Sequence, residues 1–104
     1  MKKAHVSLLA IFLGLALVHP CFADVDMTKL YGLRDERALK EITKETEKTL
    51  ATDPGNAVLL KTVGIAYHNL ATLKVGGASD KAVRFLEKAY AFSPTDNEIL
   101  AYLG

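Results

Sequence analysis

The feature that most constrains this chain is a helical pattern of small and large residues that starts over before the last residue. Leu60, Val63, Gly64 and Tyr67 are spaced along one side of a helix, and Leu100, Leu103 and Gly104 begin the same spacing again. Between them Ala82, Leu86 and Ala89 share a face, and Pro94 closes that segment. A pattern that restarts marks a repeat architecture, in which each unit buries its apolar face by stacking on the next. Gly64 in mid-helix costs about 1 kcal/mol relative to alanine. Close approach of a neighbouring helix, which a side chain would block, compensates for that. Ala82 and Ala89 are small enough to be the approaching surface, with Leu60, Tyr67 and Leu86 filling the space around them.

From Asp24 onward no segment alternates apolar and polar residues with period two, and helical spacing dominates. Leu39, Ile42, Thr46 and Leu50 lie on one face of a helix predicted from about Asp35 to Ala51, which Asp53-Pro54-Gly55 stops. Its Glu36–Lys40 and Arg37–Glu41 pairs stand at the i,i+4 distance that supports a solvated helix face. A second helix runs from about Asn56 to Lys74, with Val75-Gly76-Gly77-Ala78 ending it and glycine available for a left-handed cap. A third starts near Ser79 as N-cap and ends at Ser93-Pro94. A fourth begins near Thr95, where Thr95-x-x-Glu98 has the form of a capping box. The expected fold class is all-α, an antiparallel helix-pair solenoid with about one full repeat and flanking half-repeats.

Residues 1–23 read as a secretory signal peptide. Lys2 and Lys3 precede an apolar run from Val6 to Val18, Pro20 breaks it, and Cys21-Phe22-Ala23 offers small residues for cleavage before Asp24. The run is 13 residues long, short of the roughly 20 needed to span a bilayer as a helix. The alternative is a lipoprotein anchored through Cys21, although His19-Pro20 before the cysteine suits lipidation poorly. Residues 24–34 form an N-terminal extension, and 35–104 the repeat domain. Of 13 basic residues two leave with the leader, against 12 acidic ones, so the remainder carries about one negative charge. That balance gives no reason to expect nucleic acid, which needs a concentrated basic face. Cys21 is the only cysteine, so after cleavage no disulfide can form and burial alone must hold the fold.

These residues resemble the tetratricopeptide repeat family, whose first helix reads Trp-x-x-Leu-Gly-x-x-Tyr. Leu60 stands for the Trp, Val63 for the Leu, and Gly64 and Tyr67 match. Ala82, Leu86, Ala89 and Pro94 occupy the small, aromatic, alanine and proline positions of the second helix, with Leu86 replacing the aromatic. The best-matched unit is 57–96, and the next begins at 97 and is incomplete. Pro54 and Pro94 are 40 residues apart, against roughly 34 in the common repeat. The added residues lie at the end of the second helix and in Val75–Ala78. The Sel1-like repeat, with longer units and a glycine-containing loop, is the runner-up.

The resemblance implies a concave groove lined by Val58, Lys61, Ile65, His68, Asn69 and Thr72, receiving a peptide or partner protein. Lys61 corresponds to a basic residue that some members use to clamp a terminal carboxylate, although Ile65 stands where an asparagine would follow; the plainer reading is a solvated lysine. His68 is the only histidine after the leader, so no His-rich metal site can be built and no cysteine assists. Ser79 and Ser93 read as helix-end residues, Tyr67 and Tyr90 as packing residues, and Gly76-Gly77 lacks a phosphate-loop pattern. No catalytic residue, metal or cofactor is expected. The leading expectation is a periplasmic or secreted non-catalytic scaffold for a protein or peptide, without a transmembrane span after cleavage. The alternatives are self-association through an apolar stripe of Ile99, Leu100 and Leu103, or the N-terminal fragment of a longer repeat protein.

Overall fold

Among the described residues, four of the five helices begin at an aspartate or asparagine whose side chain takes up the first free backbone N–H groups, and this sets the segmentation of the fold. A computed structural model describes residues 26–104. Helix α1 spans Met27–Gly32, where the Asp26 carboxylate accepts from Thr28 N at 3.0 Å. Helix α2 covers Glu36–Leu50 behind Asp35, which accepts from Ala38 N at 3.2 Å. Helix α3, Ala57–Thr72, is capped by Asn56, whose amide also donates to Asp53 at 3.0 Å across the turn. Helix α4 is Ala78–Phe92, and α5 is Asn97–Leu103. Among the described residues there is no strand, so the chain is all-α. The predicted leader 1–23 and Cys21 lie outside the described residues.

Two cap assignments need correction. Ser79 is not the N-cap of α4: the helix starts a residue before it, behind Gly77 at φ 79°, and no side chain caps it. Glu98 is not half of a capping box with Thr95. Asp96 is the cap, accepting from Glu98 N at 2.9 Å and Ile99 N at 3.2 Å, which leaves the Glu98 side chain for another partner. At the end of α3 the left-handed residue is Lys74, φ 67°, rather than a glycine. Lys74 N donates to Ala71 O and Val75 N to Leu70 O, so the helix closes in a Schellman arrangement with Val75 half-buried against the core.

Helix α3 is the centre of the molecule and packs on all four others, most extensively on α4 and then α2. That is why it is apolar almost all round: Leu59, Leu60, Val63, Ile65, Ala66, Tyr67 and Leu70 are all buried. Helices α2 and α4 bury one face each. On α2 this face is Leu39, Thr43, Thr46 and Leu50, the two threonine hydroxyls donating to the carbonyls of Lys40 and Ile42 within their own helix. On α4 it is Ala78, Ala82, Leu86 and Ala89. The close approach required of Gly64 is present: a Cβ there would lie 2.7 Å from Cγ and Cδ2 of Leu86. The predicted extension 24–34 holds α1, which docks on α3 and buries Leu30 completely.

Candidate functional site

The residues assigned to a groove lie along one side of α3, and the short helices α1 and α5 both pack against this central helix. Their exposures differ widely. Val58 is 68% exposed at the start of the helix, with its carbonyl accepting from the Thr62 hydroxyl at 2.8 Å. Thr72 is exposed at the other end, its hydroxyl donating to Asn69 O at 2.6 Å. Between them Ile65 is 0% and Asn69 1% exposed. These two are not free groove-lining side chains, which corrects the expectation. The resemblance to the repeat family placed them on this face but carried no information about what lies over it.

Asn69 explains how α1 is held. Its amide donates to the backbone carbonyl of Leu30 at 2.7 Å, a fully buried bond between residues 39 positions apart. One turn earlier on α1, the Met27 sulfur lies 3.7 Å from the Thr62 hydroxyl. Leu30 itself is buried in the core cluster, with Met27 and Tyr31 half-buried around it. After α1, the Arg34 guanidinium folds back to the carbonyls of Leu33 and Tyr31 at 2.9 and 3.4 Å.

Helix α5 buries Ile99 and packs mainly on α4, and charge ties it to α3. The Lys61 ammonium lies 2.9 Å from an Asp96 oxygen and 2.5 Å from a Glu98 oxygen, with its side chain only 19% exposed. Burial disfavours the ammonium, but its hydrogen bonds to Glu98 and Asp96 outweigh this and raise the Lys61 pKa. The same bonds to Lys61 hold the Asp96 and Glu98 carboxyls below the ordinary carboxylate values. Lys61 is therefore neither a free clamp for a terminal carboxylate nor a solvated surface lysine: two carboxylates of its own chain engage it. Interaction with the Glu98 carboxylate, and then burial, push the Tyr31 pKa up to about 12. Farther along α3, the His68 ring meets the Tyr102 ring edge-on at 4.9 Å. Burial, with the Arg34 charge adding to it, lowers the His68 pKa.

A second, shallow cleft of 240 Å³ lies where α2, α3 and α4 converge, between Glu47, Leu50, Pro54, Phe85 and Lys88. Beside it Tyr67 donates its hydroxyl to Glu47 and stacks on Phe85 with ring centroids 5.8 Å apart. Burial first, and then that hydrogen bond, raise the Tyr67 pKa to about 12. Lys81 sits 5.3 Å from the Tyr67 ring centre and Lys88 5.9 Å from that of Phe85. Tyr67 is a packing residue, as expected, with a polar anchor on α2 that helical spacing did not disclose. Among the described residues no three His, Cys, Asp or Glu side chains come together to hold a metal ion. Among the same residues no helix is long and apolar enough to cross a membrane.

No family model, curated protein or solved structure matches this chain. The functional reading therefore rests on the geometry of the α3 face. Four of its participants, Leu30, Tyr31, Glu98 and Tyr102, were not singled out from the sequence as site residues. Glu98 is cryptic because its spacing from Thr95 fits a cap equally well. Leu30 and Tyr31 sit in a helix too short to display a period. The available signal was Asp26 standing before Met27-x-x-Leu30, an N-cap followed by two apolar residues one turn apart.

Proposed function

We propose that this chain is an exported, non-catalytic protein- or peptide-binding scaffold of tetratricopeptide type. The observation that carries the reading is that the α3 face already holds a helical segment, α1, through one buried leucine and one hydrogen bond to Asn69. Such a face is suited to helix-in-groove recognition, in which a few anchors on a short helix enter a preformed apolar surface. The helix-pair reading is supported by the Gly64–Leu86 approach and by the buried Ala82 and Ala89, which let α3 and α4 come close. Accessible contact points for a partner are Val58 and Thr72 at the two ends of the face and half-buried His68 between them.

Affinity capture with covalent cross-linking tests the binding role. The wild-type protein is expected to retain a partner that the Val58→Glu, Thr72→Glu double variant loses while keeping its helical circular dichroism; identical capture by both refutes the reading. Mass spectrometry of the exported protein should find Asp24 at its N-terminus, and an intact Met1 would remove the export assignment.

Self-association is the second reading, favoured by Phe92 at 59% and Leu100 at 42% exposure. The expected stripe is smaller than the sequence implied, because Ile99 is buried and Leu103 half-buried. A dimer in light scattering that Phe92→Glu with Leu100→Glu converts to monomer would favour this reading; a wild-type monomer would exclude it.

A further inference from the structure

We infer that α1 is a removable occupant of the α3 face, and that the vacated face takes a helical segment of the same chemistry from another chain. The inference rests on the scaffold reading and names its ligand class: a short helix with an apolar residue, a leucine three positions on, and an aromatic next, as in Met27-x-x-Leu30-Tyr31.

Three observations carry it. First, α1 has six residues, far below the length at which an isolated helix persists in water. Its helicity is therefore a consequence of docking, and detaching it costs little beyond the contacts themselves. Second, those contacts are few and of the kind a foreign helix can reproduce. Leu30 fills an apolar site, and its carbonyl accepts from Asn69 at 2.7 Å. The bond to Asn69 goes to backbone, so it demands a carbonyl at that height and not a particular side chain. Third, departure of α1 removes the acceptor of the Asn69 amide and uncovers the apolar surface on which Leu30 is buried. Burying that surface again favours recapture of α1 or capture of an equivalent segment.

The link from α1 to α2 is only Leu33 to Asp35. So short a tether keeps α1 at an effective concentration on the order of millimolar or more. A segment arriving at micromolar concentration loses that competition unless it binds much more tightly or α1 is weakened. The device is thus an intrachain competitor that sets a threshold for partners.

The probe is a fluorescent synthetic peptide with the sequence of residues 26–34, followed by anisotropy. It should bind the Leu30→Asp protein at least about tenfold more tightly than the wild type, because the tethered competitor is gone. Adding Asn69→Leu to that variant should abolish the gain. Equal binding to wild type and Leu30→Asp, or a gain that survives Asn69→Leu, overturns the inference. Hydrogen exchange on the wild-type protein decides the matter where Leu30→Asp does not fold. Amides of Leu30 and Leu33 should exchange through a local opening, faster than those of Val63 and Ala66 on α3. Exchange of both sets only with global unfolding overturns it. A capture experiment that fails while α1 opens and the peptide binds would instead count against the wider scaffold reading.

Discussion

Helices α3 and α4 meet through shape, whereas α1 and α5 are fastened to α3 by a few polar bonds and single anchoring side chains. In the first region a missing side chain is the decisive feature. Gly64 leaves room for Leu86, and the small Ala82 and Ala89 keep the helices close along the whole contact. In the second region buried groups are matched one to one: Asn69 with a carbonyl of α1, and Lys61 with two carboxylates at the start of α5. Dispersion and area add up over many atoms and are insensitive to pH. Single polar bonds contribute little net stability and are costly when one partner is lost. The comparison implies a rigid pair carrying two adjustable flanks.

The sharpest way to break the first region is Leu86→Ala, expected to cost about 2–5 kcal/mol through lost burial and the cavity left against Gly64. Thermal or urea unfolding followed by circular dichroism measures it, and a loss below about 1 kcal/mol would mean that α3 and α4 do not depend on this contact. Next comes Asn69→Ala on the flank, which leaves the Leu30 carbonyl buried without its donor at a cost of about 1–3 kcal/mol. Its signature should be faster exchange in α1 with the exchange of Val63 unchanged. A uniform effect across both regions would mean that α1 is part of the cooperative core.

Gly64→Ala should follow, at about 1 kcal/mol. Crowding against Leu86 typically costs about 1–3 kcal/mol, and the better helix propensity of alanine returns about 1. In the Leu86→Ala background the same change should become neutral or stabilising, since the obstructing atoms are gone. Simple additivity in that double-mutant cycle would show that the two residues do not meet.

Lys61→Met should have the smallest effect at neutral pH, under about 1 kcal/mol, because the ion pair is partly exposed. It should, however, remove much of the acid sensitivity of the α5 flank. Asp96 and Glu98 have carboxyl pKa values depressed below 3.8 and 4.5. Their contribution is present above those unfolded values and is lost as pH falls through the folded ones. The lowered pKa of His68 acts in the same sense, since protonation below 6.5 is disfavoured in the folded state. At high pH the contribution of Lys61 disappears above its ordinary value of 10.5, as pH passes through its raised pKa. NMR of Tyr102 and Ile99 between pH 7 and 3 should report loosening of α5 before any change at Val63 and Leu86. Simultaneous change at both sites would erase the distinction between rigid pair and flanks.

Much of the pair was legible because helical periodicity is a local property. The spacing of Leu59, Val63, Ala66 and Leu70, the Asp53-Pro54-Gly55 turn and the small residues at 64, 82 and 89 each state their requirement within one or two turns. The expected boundaries of α2 and α3 agree with the helices to within two residues. The flanks were less legible. Helix α1 has one fully buried residue and no room for a period, and Ser79 and Thr95 match capping patterns although no side chain caps α4 and Asp96 caps α5. Ile65 and Asn69 were placed on the correct face, yet a face predicted to be open is closed by a segment 39 residues away from Asn69.

The sequence by itself determined that this protein is helical, where its three main helices run, and that two of them approach at Gly64. Those outcomes follow from backbone caps, turn residues and side-chain volume, which act over a few residues. Only the tertiary structure decided that Lys61 is spent on Asp96 and Glu98, and that α1 covers Asn69 on α3. Both depend on which groups, distant in the chain, arrive beside α3, and a half-buried lysine or a buried amide takes whichever acceptor that packing delivers.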